Sequence, residues 1–333
     1  MENVTQSKLL LEWFARFGRD LPWRHKGGAH PDPYIVLVSE IMLQQTTVKT
    51  VLSYFERFIT RFPNVQALAS APLEEVYLYW QGLGYYTRAK SLHQSAQIIC
   101  TEFDGRFPSN LEEIKKLKGL GAYSRASFLA LSFNLPYTVV DGNVIRIISR
   151  LEHLTEPIEQ ILPQITQKAT ALTDVLHPAD YASAIMDLGA TVCTKKSPLC
   201  AQCPWQNFCL SKTEPDLEQI PVRQKLQKKV IEGYVFLIVN SKSQICIRQR
   251  TEKGLLSGLY EFPWSETNLY PEATQTKYAV SHIFTHINMH LKICLVHSQS
   301  AYQNGFFVDT SELQNYPFST LMQKVASHIK PLL

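Results

Sequence analysis

The chain has 333 residues, 45% of them hydrophobic and 19% charged, with a formal net charge of +4. That length allows two domains, each able to bury a core, and this balance of apolar and charged residues excludes a disordered or fibrous protein. Residues 1–228 carry 24 Lys and Arg against 22 Asp and Glu, and residues 229–333 carry 9 against 7, so bulk charge names no partner and only local patches could.

In chain order, Met1–Phe17 is predicted to form an amphipathic helix; it lacks the apolar core of a signal peptide, and no segment approaches bilayer-spanning length. A cytoplasmic location is expected, with no membrane partner. From residue 5 to about 190 apolar residues recur at helical spacing, broken at Leu21-Pro22, Pro63, Gly82-Leu83-Gly84, Pro108, Gly119-Leu120-Gly121, Pro136 and Pro178, which predicts a many-helix domain. Ser211–Lys229 is polar, with two prolines and several cations, and reads as a basic linker. Beyond it the period changes. Val235–Val239 and Ile245–Ile247 are strand-like, apolar residues alternate from Ile287 to Leu295, and Ser319–Ile329 closes the chain as an amphipathic helix. An α+β domain follows.

Four of the seven cysteines, Cys193, Cys200, Cys203 and Cys209, crowd one loop after the predicted helix Tyr181–Val192. Such crowding fits a reducing compartment and a metal rather than disulfides, because four thiolates repel unless a cation holds them. Zinc prefers two separated Cys-x2-Cys knuckles, whereas the spacing C-x6-C-x2-C-x5-C in a compact loop suits a [4Fe–4S] cubane better, with zinc the alternative. Cys100, Cys246 and Cys294 read as ordinary buried residues. Leu117-Lys118-Gly119-Leu120-Gly121-Ala122-Tyr123 lies between two helices, where two glycines permit a tight turn whose backbone N–H groups can hold a phosphate. Asp141 opens the next helix, and on sequence alone its plainest role is that of an N-cap. Glu40 stands alone in the apolar run Asp32–Val48, one turn before Gln44. Burial would raise its proton affinity, as a general acid near neutral pH requires; an exposed helix face is the bland alternative.

The cysteine spacing and the Gly-x-Gly hairpin resemble the helix–hairpin–helix DNA glycosylase superfamily that includes endonuclease III. The Asp32–Val48 run, together with Leu21-Pro22-Trp23-Arg24 and Trp80-Gln81-Gly82-Leu83-Gly84-Tyr85-Tyr86-Thr87-Arg88-Ala89, closely resembles adenine DNA glycosylases of the MutY type. The resemblance implies that Glu40 protonates N7 of a flipped adenine, that Asp141 stabilises an oxocarbenium-like sugar, and that Asn143 and Tyr123 shape the site. It further implies that Trp23 and Arg24 line the adenine pocket, that Gln44, Arg88 and the hairpin glycines Gly119 and Gly121 contact substrate or DNA, and that Gln45 and Tyr85 wedge into the duplex. Tyr123 replaces the Schiff-base lysine of lyase members, which implies a monofunctional enzyme using water. The chain departs from the family at Lys118, which replaces a hairpin proline, in a longer loop at His25–Ala29, and at Ala182-Ser183, where a polar pair is usual.

Gly254–Pro263 resembles the MutT-like domain of the same family, but no clustered carboxylates for Mg²⁺ follow it, so recognition is expected rather than nucleotide hydrolysis. Phe284-Thr285-His286 matches the loop that senses 8-oxoguanine opposite adenine. The expected layout is a mainly α helix–hairpin–helix glycosylase domain with an iron–sulfur loop over 1–213, a basic linker over 214–229, and an α+β MutT-like (Nudix-like) domain over 230–333. The expected cofactor is one [4Fe–4S] cluster. The expected partner is double-stranded DNA with an adenine:8-oxoguanine or adenine:guanine mismatch, met by a monomer on the nucleoid. An endonuclease III-like pyrimidine-damage glycosylase/lyase and a non-catalytic iron–sulfur DNA-binding protein are the competing readings.

Overall fold

The computed structural model describes residues 2–24, 31–223, 228–252, 254–284, 286–330 and 332, with side chains from Gln6 onward. The chain divides into two compact units: residues 1–70 with 91–224, and residues 71–90 with 225–333. No described helix is long and apolar enough to cross a membrane.

The first unit is helical. Helix Pro33–Leu43 starts where Asp32 accepts a bond from the Tyr34 N–H and Pro33 pre-sets the backbone. Val36, Leu37, Val38, Ile41 and Met42 then bury it on nearly every side. Helix Ala122–Phe133 ends at Asn134, which adopts φ +53°. Helix Gly142–Leu151 buries Val144, Ile147, Ile148 and Leu151 along one stripe.

Two predicted features differ. The helix expected over Tyr181–Val192 is α-helical only over Pro178–Asp187 and closes in a π turn, Leu188–Val192. The first half of the expected linker is tied to the helical unit: Ser211 and Ile220 are buried, the Ile158 N–H donates to Val222 O, and residues 224–227 lie outside the described residues.

The second unit is built on a mixed sheet of β1 (Lys229–Val239), β2 (Ile245–Gln249), β3 (Tyr260–Glu261), β4 (Trp264–Ser265), β5 (Thr274–Ile283), β6 (Ile287–His297) and β7 (Phe306–Val308). The order is β3-β2-β1-β6-β5, with β4 on β1 and β7 on β2. Central β1 and β6 run parallel from Lys229 opposite Ile287 to Val239 opposite His297. Both faces of the second half of β1 are covered, which explains the unbroken apolar run Val235–Val239. Val235 and Leu237 join the core that holds Met322 and Val325 of helix Thr320–Ala326, while Phe236 and Ile238 pack with Cys246, Cys294 and Val296. Cys246 and Cys294 are thus buried as expected; Cys100 is only partly so. Helix Leu73–Trp80 and the loop after it belong to this unit, where the Tyr86 hydroxyl donates to Phe318 O at 3.1 Å.

Candidate active site and iron–sulfur loop

Glu40 is 6% exposed, on a helix that offers it no carboxylate partner of its own. Burial pushes its carboxyl up to about 7; the Ser127 hydroxyl and Arg24 pull it down, and Asp141 pushes it up. The group therefore holds its proton far above the ordinary carboxylate range.

Asp141 caps helix Gly142–Leu151. Its Oδ1 accepts from the Asn143 and Val144 N–H groups, both at 2.8 Å, and its Oδ2 accepts from Asn143 Nδ2 at 2.9 Å. Burial raises its carboxyl above the ordinary range, while these bonds and Arg146 hold the rise in check. N-cap and partly desolvated anion are one group here. Tyr123 is the third member: burial first, then Glu40 and Asp141, drive its phenol well above the usual value, so it stays protonated and donates to Met186 Sδ at 3.2 Å.

Sequence reasoning missed the residues that brace this triad. Arg146 Nη2 donates to Asn143 Oδ1 (3.0 Å) and Gly189 O (2.6 Å), and its Nε to Cys193 O (2.7 Å). Gly189 sits in the π turn, where an added Cβ would stand 2.5 Å from Asn143 Cβ. Arg150, 1% exposed, donates to Thr194 O, Lys195 O and Ile220 O. Four residues apart, Arg146 and Arg150 share one helix face, which meets the cysteine loop. Asp187 is fully buried; burial would raise it, but Arg24 and Arg19 hold it below the ordinary range. Arg24 Nη1 lies 2.8 Å from its Oδ1, and Arg19 bonds both oxygens. Trp23, 4% exposed, meets Phe55 edge-on at 5.0 Å. The His25–Ala29 loop lies outside the described residues. Ala182 and Ser183 are both buried.

Gln44 donates to Gly119 O (2.9 Å) and Ser124 Oγ (3.1 Å), so it braces the hairpin. Gly119 adopts φ +77°, and a Cβ there would meet Ser91 Cβ at 2.7 Å. Gly121 caps helix Ala122–Phe133 without a side chain, in open space, and so leaves the first N–H groups uncovered. Exposed Gln45 holds φ +58°, a conformation that costs energy and recurs at functional sites.

In the second unit Tyr85 is 47% exposed at φ +48°. Arg88 is buried, and its Nη2 donates to Leu83 O and Gly84 O beneath the Trp80 and Tyr85 rings, so it shapes the loop that displays Tyr85. Tyr85, Leu256, His282, Phe284, His286 and Thr320 line one cavity. Phe284 meets His282 edge-on at 4.6 Å, His286 is exposed, and Thr285 lies outside the described residues.

Cys193, Cys200, Cys203 and Cys209 line a single small cavity of the helical unit. Burial, together with the other three thiols, pushes Cys203 up to about 12 against the pull of the Trp205 N–H, and Cys200 and Cys209 are also raised. Thiolates this unfavourable require a cation. Four thiols around one cavity are a donor set that fits an iron–sulfur cluster. Lys195 and Lys196 on the same loop are exposed.

Three family models match: base excision DNA repair proteins of the helix–hairpin–helix superfamily over 38–171, the iron–sulfur binding domain of endonuclease III over 193–209, and a Nudix domain over 234–328. The class is therefore a helix–hairpin–helix base-excision protein with an iron–sulfur loop and a Nudix-like α+β domain. Among solved structures, a thermostable thymine-DNA glycosylase superposes with a TM-score of 0.56 at 25% identity, over 63% of this chain and 98% of that one. An endonuclease III–DNA complex gives 0.52 at 20%, over 64% and 97%, a likeness of fold. Adenine DNA glycosylases of Buchnera aphidicola are 37% identical over 79% of this chain and 74% of theirs (strain Bp), and 31% over 97% and 98% (strain Sg). The human adenine DNA glycosylase is 39% identical over 63% of this chain and 40% of its own. The chain belongs to the adenine DNA glycosylase family.

Proposed function

We propose that this DNA N-glycosylase works in base excision repair as a monofunctional enzyme, excising adenine opposite 8-oxoguanine or guanine from double-stranded DNA and acting as a monomer. The observation that carries the reading is the pairing of a buried carboxyl poised near neutrality, Glu40, with a capped, partly desolvated carboxylate, Asp141, whose charge acts on it. The C1′–N9 bond breaks and its electron pair leaves with the base, which takes the Glu40 proton at N7. Asp141 stabilises the cationic sugar at C1′, and water adds there, returning a proton to the Glu40 carboxylate. Asn143 orients Asp141, and Trp23 with Arg24 walls the adenine. Tyr123 offers no amine for an imine, so the product is an intact strand with an abasic site.

Residues 1–213 carry the chemistry in this reading, 214–229 link, and 230–333 read the opposing base. The cavity shared by Tyr85, Phe284 and His286 supports that last role, with Gln45 as a second wedge beside the pair. Gln44, Gly119 and Gly121 form the phosphate-facing hairpin, and Arg88 serves it indirectly by fixing Tyr85. The four cysteines would hold one [4Fe–4S] cluster, which when bound supplies a covalent brace for the loop carrying Lys195 and Lys196.

The test is adenine release from duplexes differing only in the opposing base. Glu40→Gln should lose release by at least about a hundredfold, and His286→Ala should narrow the preference for 8-oxoguanine over guanine. Strand cleavage by untreated enzyme, or full activity in Glu40→Gln, refutes the mechanism.

A further inference from the structure

Helices Pro33–Leu43 and Ala122–Phe133 meet in a register set by Gln44, whose amide bonds Ser124 Oγ at 3.1 Å. Glu40 lies one turn before Gln44 and Ser127 nearly one turn beyond Ser124, and the Ser127 hydroxyl bears on the Glu40 carboxyl, so the two helices run in opposite directions along this seam. Tyr123 is four residues before Ser127, on the same helix face. Ser127 is completely buried, and its Oγ faces the Glu40 carboxyl and the Tyr123 hydroxyl without closing a well-formed hydrogen bond to either. A helical serine ordinarily turns its hydroxyl back on its own helix, as Ser39 does to Val36 O and Ser70 to Gln66 O. Ser132 and Ser149 are also without a bonded partner, but Ser127 alone of the three bears on two titratable groups, Glu40 and Tyr123. The Tyr123 hydroxyl gives its proton to Met186 Sδ, so toward Ser127 it can only accept. An orphaned buried hydroxyl is a cost that a folded core removes unless the group is needed in another state.

We propose that Ser127 is a positioning residue for the general acid, its hydroxyl accepting from the protonated Glu40 carboxyl and turning to donate once that proton has left for the adenine. No bond to Ser127 forms or breaks; one O–H rotates as one proton departs. The inference rests on Glu40 as the acid and adds a device that receives the carboxylate after the transfer. The other groups facing Glu40 are Arg24, from the segment after the first helix, Asp141, from the head of helix Gly142–Leu151, and Tyr123. Arg24 favours the carboxylate and Asp141 opposes it, and neither changes when Ser127 is altered.

The test uses full-length Ser127→Ala and Ser127→Cys, the second nearly isosteric with a weak donor. Single-turnover adenine release is followed across the neutral range on an adenine:8-oxoguanine duplex, beside a thermal melt. Without the donor the carboxylate is less stable, so the alkaline midpoint of the rate profile should move up by about one pH unit. The maximal rate should fall several-fold, and the melt shows which variant keeps the fold. An unmoved alkaline midpoint in the variant that folds overturns the proposal, whatever happens to rate or melt. Glu40→Gln run in parallel separates the two ideas. If it retains the native rate, the acid assignment itself fails; if it is inactive while the Ser127 midpoint stays put, only the positioning role fails.

Discussion

Glu40→Gln isolates the energetic cost of placing an acid in this core. The carboxyl ordinarily loses its proton near 4.5 but holds it to about 7 in the folded protein. Between those values the folded chain binds more protons than the unfolded one, so stability declines as pH rises from about 4.5 and levels off above about 7. At about 1.4 kcal/mol per pH unit, the whole interval is worth about 3 kcal/mol, of which about 2 falls between pH 5 and pH 8. Because Glu40 is wholly enclosed, solvent screening takes little from this figure. Gln has the same shape without the charge, so it should be progressively more stable than the native protein as pH rises, its urea midpoint gaining roughly 1 M over that window. Asp141, also raised, weakens the native fold in the same direction, and Asp187, held low, strengthens it as pH rises. Both are present in each protein and largely cancel in the difference. Far-UV circular dichroism in urea at several pH values provides the assay. A Gln advantage that stays constant across pH would refute a buried acid of raised proton affinity.

Asp141→Asn keeps an oxygen to accept from the Asn143 and Val144 N–H groups, so the melting midpoint should drop by no more than corresponds to about 1 kcal/mol, while adenine release falls by at least about a hundredfold; equal losses of fold and rate would reduce Asp141 to a cap. Gly189→Ala drives a methyl into Asn143 at 2.5 Å; single-turnover rate should fall while iron content per chain remains, and a native rate would mean that Asn143 tolerates displacement. Arg88→Ala frees Leu83 O and Gly84 O and empties the space under Tyr85; a loss of about 2 kcal/mol in stability is expected, with weaker binding to mismatched duplex in a shift assay, and unchanged stability would return Arg88 to a direct DNA role.

Much of this site was legible because its chemistry departs from the local pattern. A lone glutamate in an apolar helix, an aspartate before Gly-Asn at a helix start and four cysteines in one loop are each anomalies that demand a reason. The remainder depends on meetings across the fold that local periodicity does not encode. Asp187 binds Arg19 and Arg24 across more than 160 residues, yet in sequence it is simply the end of a helix. Ser127 reads as one more small residue on an apolar face. Arg88, set among the DNA contacts by its motif, is buried with its guanidinium on backbone carbonyls, which the motif does not show. Helix Leu73–Trp80 carries a helical pattern like its neighbours, and nothing in that pattern shows that it belongs with the sheet. The π turn at Leu188–Val192 was invisible because apolar spacing does not distinguish one kind of helical turn from another.

Arg146 has one further implication. Its guanidinium grips the first cysteine's carbonyl, the π turn and the amide that bonds Asp141, so the cysteine loop and the Asp141 cap share a fastening. A chain that loses its iron would slacken more than the loop of Lys195 and Lys196: Asp141 would lose its alignment too. Intact helices and an intact Glu40 would then coexist with a silent enzyme, and metal content would be a better gauge of catalytic competence than folded mass.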